Sequence, residues 1–76
     1  MAYNGWKNYE TWNVALWLGN DEGLYNEARR FKRSRTPFSD LRDSLKEIGF
    51  EKTPDCVSLY DHRLSIRELN ACIKEF

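Results

Sequence analysis

Apolar residues recur at helical spacing in four stretches of the chain. In the first, Tyr9, Trp12 and Leu16 fall at i, i+3 and i+7 after Asn8, a good N-cap, and before Gly19, a natural stop. Val14, Trp17 and Leu18 widen that apolar surface, which predicts a central helix covered on more than one side. The second begins at Asn20 as cap, with Asp21 and Glu22 in the first turn, where the dipole favours anions. Leu24, Ala28 and Phe31 form its apolar stripe, and it closes in the basic run Arg29 to Arg35. The third opens with Thr36 as cap and Pro37 at the first helical position. Phe38, Leu41, Leu45 and Ile48 make its stripe, Gly49 ends it, and Arg42, Asp43, Lys46 and Glu47 lie on its solvent side.

The stretch from Phe50 to Asp61 lacks this period. Thr53-Pro54-Asp55 is a turn signal, and residues 56–60 read as a short extended segment, whose partner would be the first six residues. The last helix has a clear start, because Ser65-Ile66-Arg67-Glu68 is a capping-box pattern. Leu69, Ile73 and Phe76 then share a face, with Ile66 and Cys72 beside it. The expected fold is all-α: one compact four-helix domain over residues 1–76, with one short extended segment near 56–60. The expected core is Trp12, Leu16, Leu24, Ala28, Phe31, Leu41, Leu45, Ile48, Leu69 and Ile73.

Size sharpens this picture. A chain of 76 residues buries only about 60 % of its unfolded surface, so it depends on large side chains. Three Trp, four Tyr and four Phe meet that need. Twelve basic residues balance twelve acidic ones, which argues against coating nucleic acid by bulk charge. The N-terminus lacks the basic-then-apolar pattern of a signal peptide, and no apolar run approaches the ~20 residues that span a bilayer. These features predict a cytoplasmic protein without a membrane partner. Cys56 and Cys72 form no CxxC pair and His62 is the single histidine, so no four-ligand zinc site of Cys and His can be assembled. Two reduced thiols are expected, with a Cys56–Cys72 disulfide as the alternative.

The string from Asn4 to Tyr25, NGWKNYETWNVALWLGNDEGLY, resembles a family of small uncharacterised proteins carried by bacteria and their phages. The family is recognised by N-G-W-x-N-Y-E-T-W-x-V-x-L-W-L-x-N-D-E. The match covers the first third of the chain. The resemblance implies a phage or mobile-element context and the cytoplasm of a bacterial host, in which small early phage proteins often act by binding a host protein.

Three groups of residues are candidates for function. Trp6, Tyr9, Glu10, Asn13 and Trp17 combine aromatic and polar side chains of the kind enriched at binding hot spots, and form the candidate partner-binding surface. The structural alternative for these residues is core packing and helix capping. Arg29, Arg30, Lys32, Arg33 and Arg35 form the candidate phosphate contact, with Arg29, Lys32 and Arg33 on one helical face and Phe31 available to stack. Its alternative is a solvated helix end that complements the dipole. Asp55, Cys56, Asp61 and His62 contain the parts of a nucleophile constellation, but Cys56 and His62 lie about 20 Å apart if the intervening chain is extended. No glycine-rich loop accompanies them. The sequence therefore predicts no catalytic residue, no metal and no cofactor. It favours a non-enzymatic protein that binds a host protein, with nucleic-acid binding as the alternative and a homodimer as a third option.

Overall fold

Side chains that accept hydrogen bonds from free N–H groups set where the helices begin. The computed structural model describes residues 3–76 and has four helices: α1 (Tyr9–Asn20), α2 (Glu22–Arg29), α3 (Pro37–Glu47) and α4 (Ile66–Lys74). Asn8 Oδ1 accepts from the Thr11 N–H at 2.9 Å and starts α1. Ser65 Oγ accepts from the Glu68 N–H at 3.3 Å and starts α4. The cap of α2 is Asp21 rather than Asn20: α1 runs through Gly19 to Asn20, and the extended backbone of Asp21 (φ −94°, ψ 120°) breaks the helix there. Asp21 Oδ1 then accepts from the Leu24 N–H at 3.0 Å.

Helix α3 is capped from outside. Thr36 makes no side-chain cap bond, although Pro37 occupies the first turn as expected. Asn70 of α4 instead accepts from the Phe38 N–H at 2.8 Å. At the other end Gly49 (φ 85°) is the stop. Gly49 N–H donates to the Lys46 carbonyl at 3.0 Å and Phe50 N–H to the Leu45 carbonyl at 2.9 Å, the paired bonds of a Schellman ending.

The helices close a ring in which α1 touches α2, α2 touches α3, α3 touches α4 and α4 touches α1. Helices α2 and α4 also meet across it, in a body of 31 × 24 × 21 Å. Leu24, Ala28, Leu41, Leu45, Leu69 and Ile73 are buried as expected, joined by Phe38 and by Val57, Leu59 and Leu64 from the segment before α4.

Four expected core positions are corrected. On α1 the buried face is Thr11, Val14, Ala15 and Leu18, while Trp12 and Leu16 are half-buried. The smaller side chains face inward, so neighbouring helices approach closely, and the wide rings cover the outside. Ile48 is 78 % exposed. It stands at the cap of α3 with φ −101° and ψ 11°, so the chain has left the helical path and Phe50 packs on the core instead. Phe31 is only partly buried against the core, because α2 ends at Arg29 and the chain continues in turns.

The expected extended segment at 56–60 is reduced to a single bridge between Lys52 and Ser58. Its partner is therefore the segment before the Thr53–Cys56 turn, while residues 3–6 of the expected partner pair among themselves and residues 1–2 lie outside the described residues. That turn is closed by Cys56 N–H to the Thr53 carbonyl and Thr53 N–H to the Val57 carbonyl, both 2.8 Å. Residues 3–6 form their own turn, with Tyr3 and Trp6 exchanging main-chain bonds of 2.6 and 2.7 Å. Asn4 (φ 48°) and Gly5 (φ 86°) both occupy positive φ, as a type I′ turn requires.

Candidate functional site

Asn8, Glu10, Thr11 and Asn13 of the first-third motif are bound to the chain itself. Asn8 caps α1 with its oxygen and donates its amide to the Arg63 carbonyl at 2.7 Å. Thr11 is fully buried; its hydroxyl donates to Asn8 Oδ1 at 2.6 Å and accepts from the Ser65 N–H at 2.9 Å. Glu10 pairs with Arg63 at 3.2 Å, and Asp61 grips the same guanidinium through two oxygens, at 3.0 and 2.8 Å. The capping box of α4 is opened into a tertiary contact. The Glu68 carboxylate accepts from the Lys7 N–H at 2.8 Å, and the Ser65 N–H goes to Thr11.

Asn13 and Trp17 hold the 53–56 turn. Asn13 is 1 % exposed; its oxygen accepts from the Thr53 hydroxyl at 2.7 Å and its amide donates to Asp55 at 2.8 Å. Trp17 Nε1 donates to the same Asp55 oxygen at 2.9 Å. These two donors lower the pKa of Asp55 below the usual carboxylate value. The Arg63 hydrogen bonds bring Asp61 from 3.8 down to about 2, and Asp61 in turn raises Arg63. Glu27 is lowered by hydrogen bonds from Ser44 and Arg30.

Of the five candidate partner-binding residues, Asn13 is thus buried, Glu10 is in an ion pair, and Trp6 and Trp17 are half-buried against the core. Tyr9 is the one that faces outward, at 39 % exposure. It belongs to a cluster with Tyr3 (40 % exposed) and the half-buried Trp12. The Tyr3 ring meets Tyr9 edge-on at 5.5 Å and Trp12 at 4.9 Å, and Tyr9 lies 5.7 Å from Trp12. Tyr3 escaped the sequence reading, although Asn4-Gly5 is the strongest short hairpin signal and explains its place.

The basic run does not form one helical face. Phe31, Lys32 and Ser34 donate to carbonyls three residues back, in turns beyond α2. Arg30 pairs with Glu27 at 2.9 Å, and Lys32 Nζ donates to the main-chain oxygen of Phe76 at 3.0 Å. Arg29, Arg33 and Arg35 are exposed and make no ion pair among the described residues. Arg42, expected on the solvent side, is half-buried. Its guanidinium stacks on Tyr60 at 4.8 Å and Phe38 at 5.5 Å and donates to the Leu59 carbonyl at 3.3 Å.

Asp55 and Asp61, two members of the would-be nucleophile constellation, are committed to Asn13, Trp17 and Arg63. Both cysteines are free thiols: Cys56 is exposed, and burial pushes the Cys72 thiol pKa up. Among the described residues no three His, Cys, Asp or Glu side chains converge as metal ligands, and no helix is long and apolar enough to cross a membrane. A groove of about 590 Å³ runs between α2 and α3, lined by Leu24, Leu45, Ile48 and Phe50 and rimmed by Asp21 and Glu47.

Comparison with curated proteins and with solved structures finds no match. A family model does match, and over the whole chain, residues 1–76: the protein belongs to DUF7249, a family of unknown function.

Proposed function

We infer that this is a non-enzymatic, phage-type interaction protein that binds and modulates a protein of its bacterial host, with the Tyr3–Tyr9–Trp12 cluster as its contact surface. One observation carries this reading. Asn8, Thr11 and Asn13 of the motif are used inside the fold as caps and clamps, whereas Tyr9 and Trp12 of the same motif stack with Tyr3 at the surface. Tyr and Trp supply large contact area at low entropic cost and are enriched at hot spots. The cluster sits on a helix and a two-bond turn, so it is presented in one arrangement.

A second reading rests on Arg29, Arg33 and Arg35, which are exposed without an ion pair among the described residues. Three phosphate contacts would give weak binding, its logarithm falling with the logarithm of salt at a slope near −3.

The test is capture of partners from bacterial lysate on the immobilised protein, in nuclease-treated and untreated halves, alongside a Tyr3→Ser/Tyr9→Ser variant of unchanged circular dichroism. A stoichiometric protein that survives nuclease and is lost with the variant supports the aromatic surface. Equal capture by the variant overturns it. Partners that vanish with nuclease and with an Arg29→Gln/Arg33→Gln/Arg35→Gln variant move the assignment to the basic turns.

A further inference from the structure

The turn that seats Tyr3 is built on an Asn-Gly pair. Six asparagines occur in the chain: Asn4, Asn8, Asn13, Asn20, Asn26 and Asn70. Asn13, Asn20, Asn26 and Asn70 lie within helices, and Asn8 caps one with both ends of its amide engaged. Asn4 is the one asparagine among the described residues that lies outside a helix with its side chain unengaged and is followed by glycine, whereas Asn20 and Asn26 are exposed but helical. It is exposed, its side chain takes part in no hydrogen bond among the described residues, and it precedes a glycine. The Gly5 N–H is likewise free of any hydrogen bond among the described residues, and nothing lies within 4 Å of where a Gly5 side chain would begin. The other five asparagines are followed by Tyr9, Val14, Asp21, Glu27 and Ala71, whose side chains crowd the following amide nitrogen.

We propose that Asn4 is a self-modification site, where the Gly5 main-chain nitrogen attacks the Asn4 side-chain amide and converts it to a carboxylate. The Gly5 nitrogen forms a bond to Asn4 Cγ and gives its proton to solvent. Nδ2 leaves as ammonia, taking a proton from water, and a five-membered imide remains. Water then adds to one of the two imide carbonyls. Opening at the side-chain carbonyl gives an α-linked aspartate, and opening at the main-chain carbonyl gives an isoaspartate, in which the chain runs through Cβ and Cγ. The net reaction consumes one water and releases one ammonia, with no change of oxidation state. Reaching the attack geometry requires the turn to open, and among the described residues the main-chain bonds that close it are the two between Tyr3 and Trp6.

The isoaspartate product has consequences for the surface. It adds one carbon to the main chain inside a turn that tolerates just two residues at positive φ. The Tyr3–Trp6 bonds then lose their register, and Tyr3 leaves the rings of Tyr9 and Trp12. This second step rests on the aromatic reading above only in so far as it would switch partner binding off. The modification itself stands without it.

The experiment incubates the intact protein at mildly alkaline pH beside an Asn4→Gly variant, which keeps a turn-compatible pair but has no side-chain amide. Peptide mapping by mass spectrometry follows the gain of about 1 Da at each asparagine. The expected result is conversion at Asn4 before any other asparagine, with the isoaspartate form in excess, and none in the first peptide of the variant. Near-ultraviolet circular dichroism should change in step with the isoaspartate in the wild-type protein and stay constant in Asn4→Gly. Conversion that begins at Asn26, or an Asn4 that outlasts the helical asparagines, overturns the site. Conversion at Asn4 with an unchanged aromatic spectrum overturns the coupling to Tyr3. Because these readouts need no partner, their failure is distinct from failure of the binding proposal.

Discussion

The Thr53 hydroxyl donates to the side-chain oxygen of Asn13 at 2.7 Å, across 40 positions of sequence and inside the protein. The same Thr53 oxygen accepts from the Val57 N–H at 3.2 Å, so one buried pair ties α1 to the turn that precedes α4. Asn13→Ala removes this link and leaves the buried Thr53 hydroxyl without its acceptor. It should destabilise the protein by about 1–3 kcal/mol in urea unfolding. Thr53→Val should cost less in the Asn13→Ala background than alone, because the two changes break one interaction. Strict additivity would show that the pair does not act as a unit.

Cys56 occupies positive φ (68°) at the end of the Thr53–Cys56 turn and is exposed. A left-handed conformation costs an ordinary residue about 1–2 kcal/mol. Cys56→Gly relieves that cost, and a freer unfolded chain takes back about 0.4–1 kcal/mol. The net expectation is a gain of up to about 1.6 kcal/mol. Gly49→Ala places a Cβ at φ 85° and should lose about 1–2 kcal/mol. Denaturant midpoints of the two variants should therefore move in opposite directions.

Leu41 and Ile48 test the register of α3. Leu41 is fully buried and Leu41→Ala should cost about 2–5 kcal/mol, enough to unfold a domain of this size. Ile48→Ala, seven residues on and 78 % exposed, should stay within about 0.5 kcal/mol of the parent. Equal losses would place Ile48 in the core.

Acid should weaken the fold through Asp61. Its pKa falls from 3.8 to about 2 because Arg63 hydrogen-bonds its charged form. A lowered carboxylate stabilises the folded state at pH above its unfolded value and loses that contribution as pH falls through the folded one. The loss should therefore develop between about pH 4 and pH 2, with Asp55 and Glu27 acting in the same direction. Stability measured across this range should fall less steeply in Asp61→Asn. An unchanged slope would show that the Asp61–Arg63 pair is not formed in solution.

Helices α2, α3 and α4 were legible because each carries one apolar stripe on a polar cylinder. Leu24 and Ala28, Leu41 and Leu45, and Leu69 and Ile73 are buried where the period put them. The stops at Gly49 and the cap at Ser65 were equally local, since each depends on a residue and its nearest neighbours. On α1 the period could not choose a face. Apolar residues surround the helix, and every rotation buries some of them. Neighbouring helices made the choice, taking Thr11, Val14, Ala15 and Leu18 inward and leaving Tyr9 and Trp12 to stack on Tyr3.

The polar residues follow the same division. Sequence alone marked Asn8 and Ser65 as helix caps, because an N-cap acts on the two or three residues after it, and placed the α2 cap at Asn20, one residue before Asp21. The distant partners depend on the fold: Asn70 capping α3, Glu68 reaching Lys7, and Asn13 with Trp17 holding Asp55. Local spacing determined the elements and most of their apolar faces. Only tertiary structure decided which polar groups are satisfied inside and which aromatic rings remain at the surface, because both depend on chain segments that no local period relates.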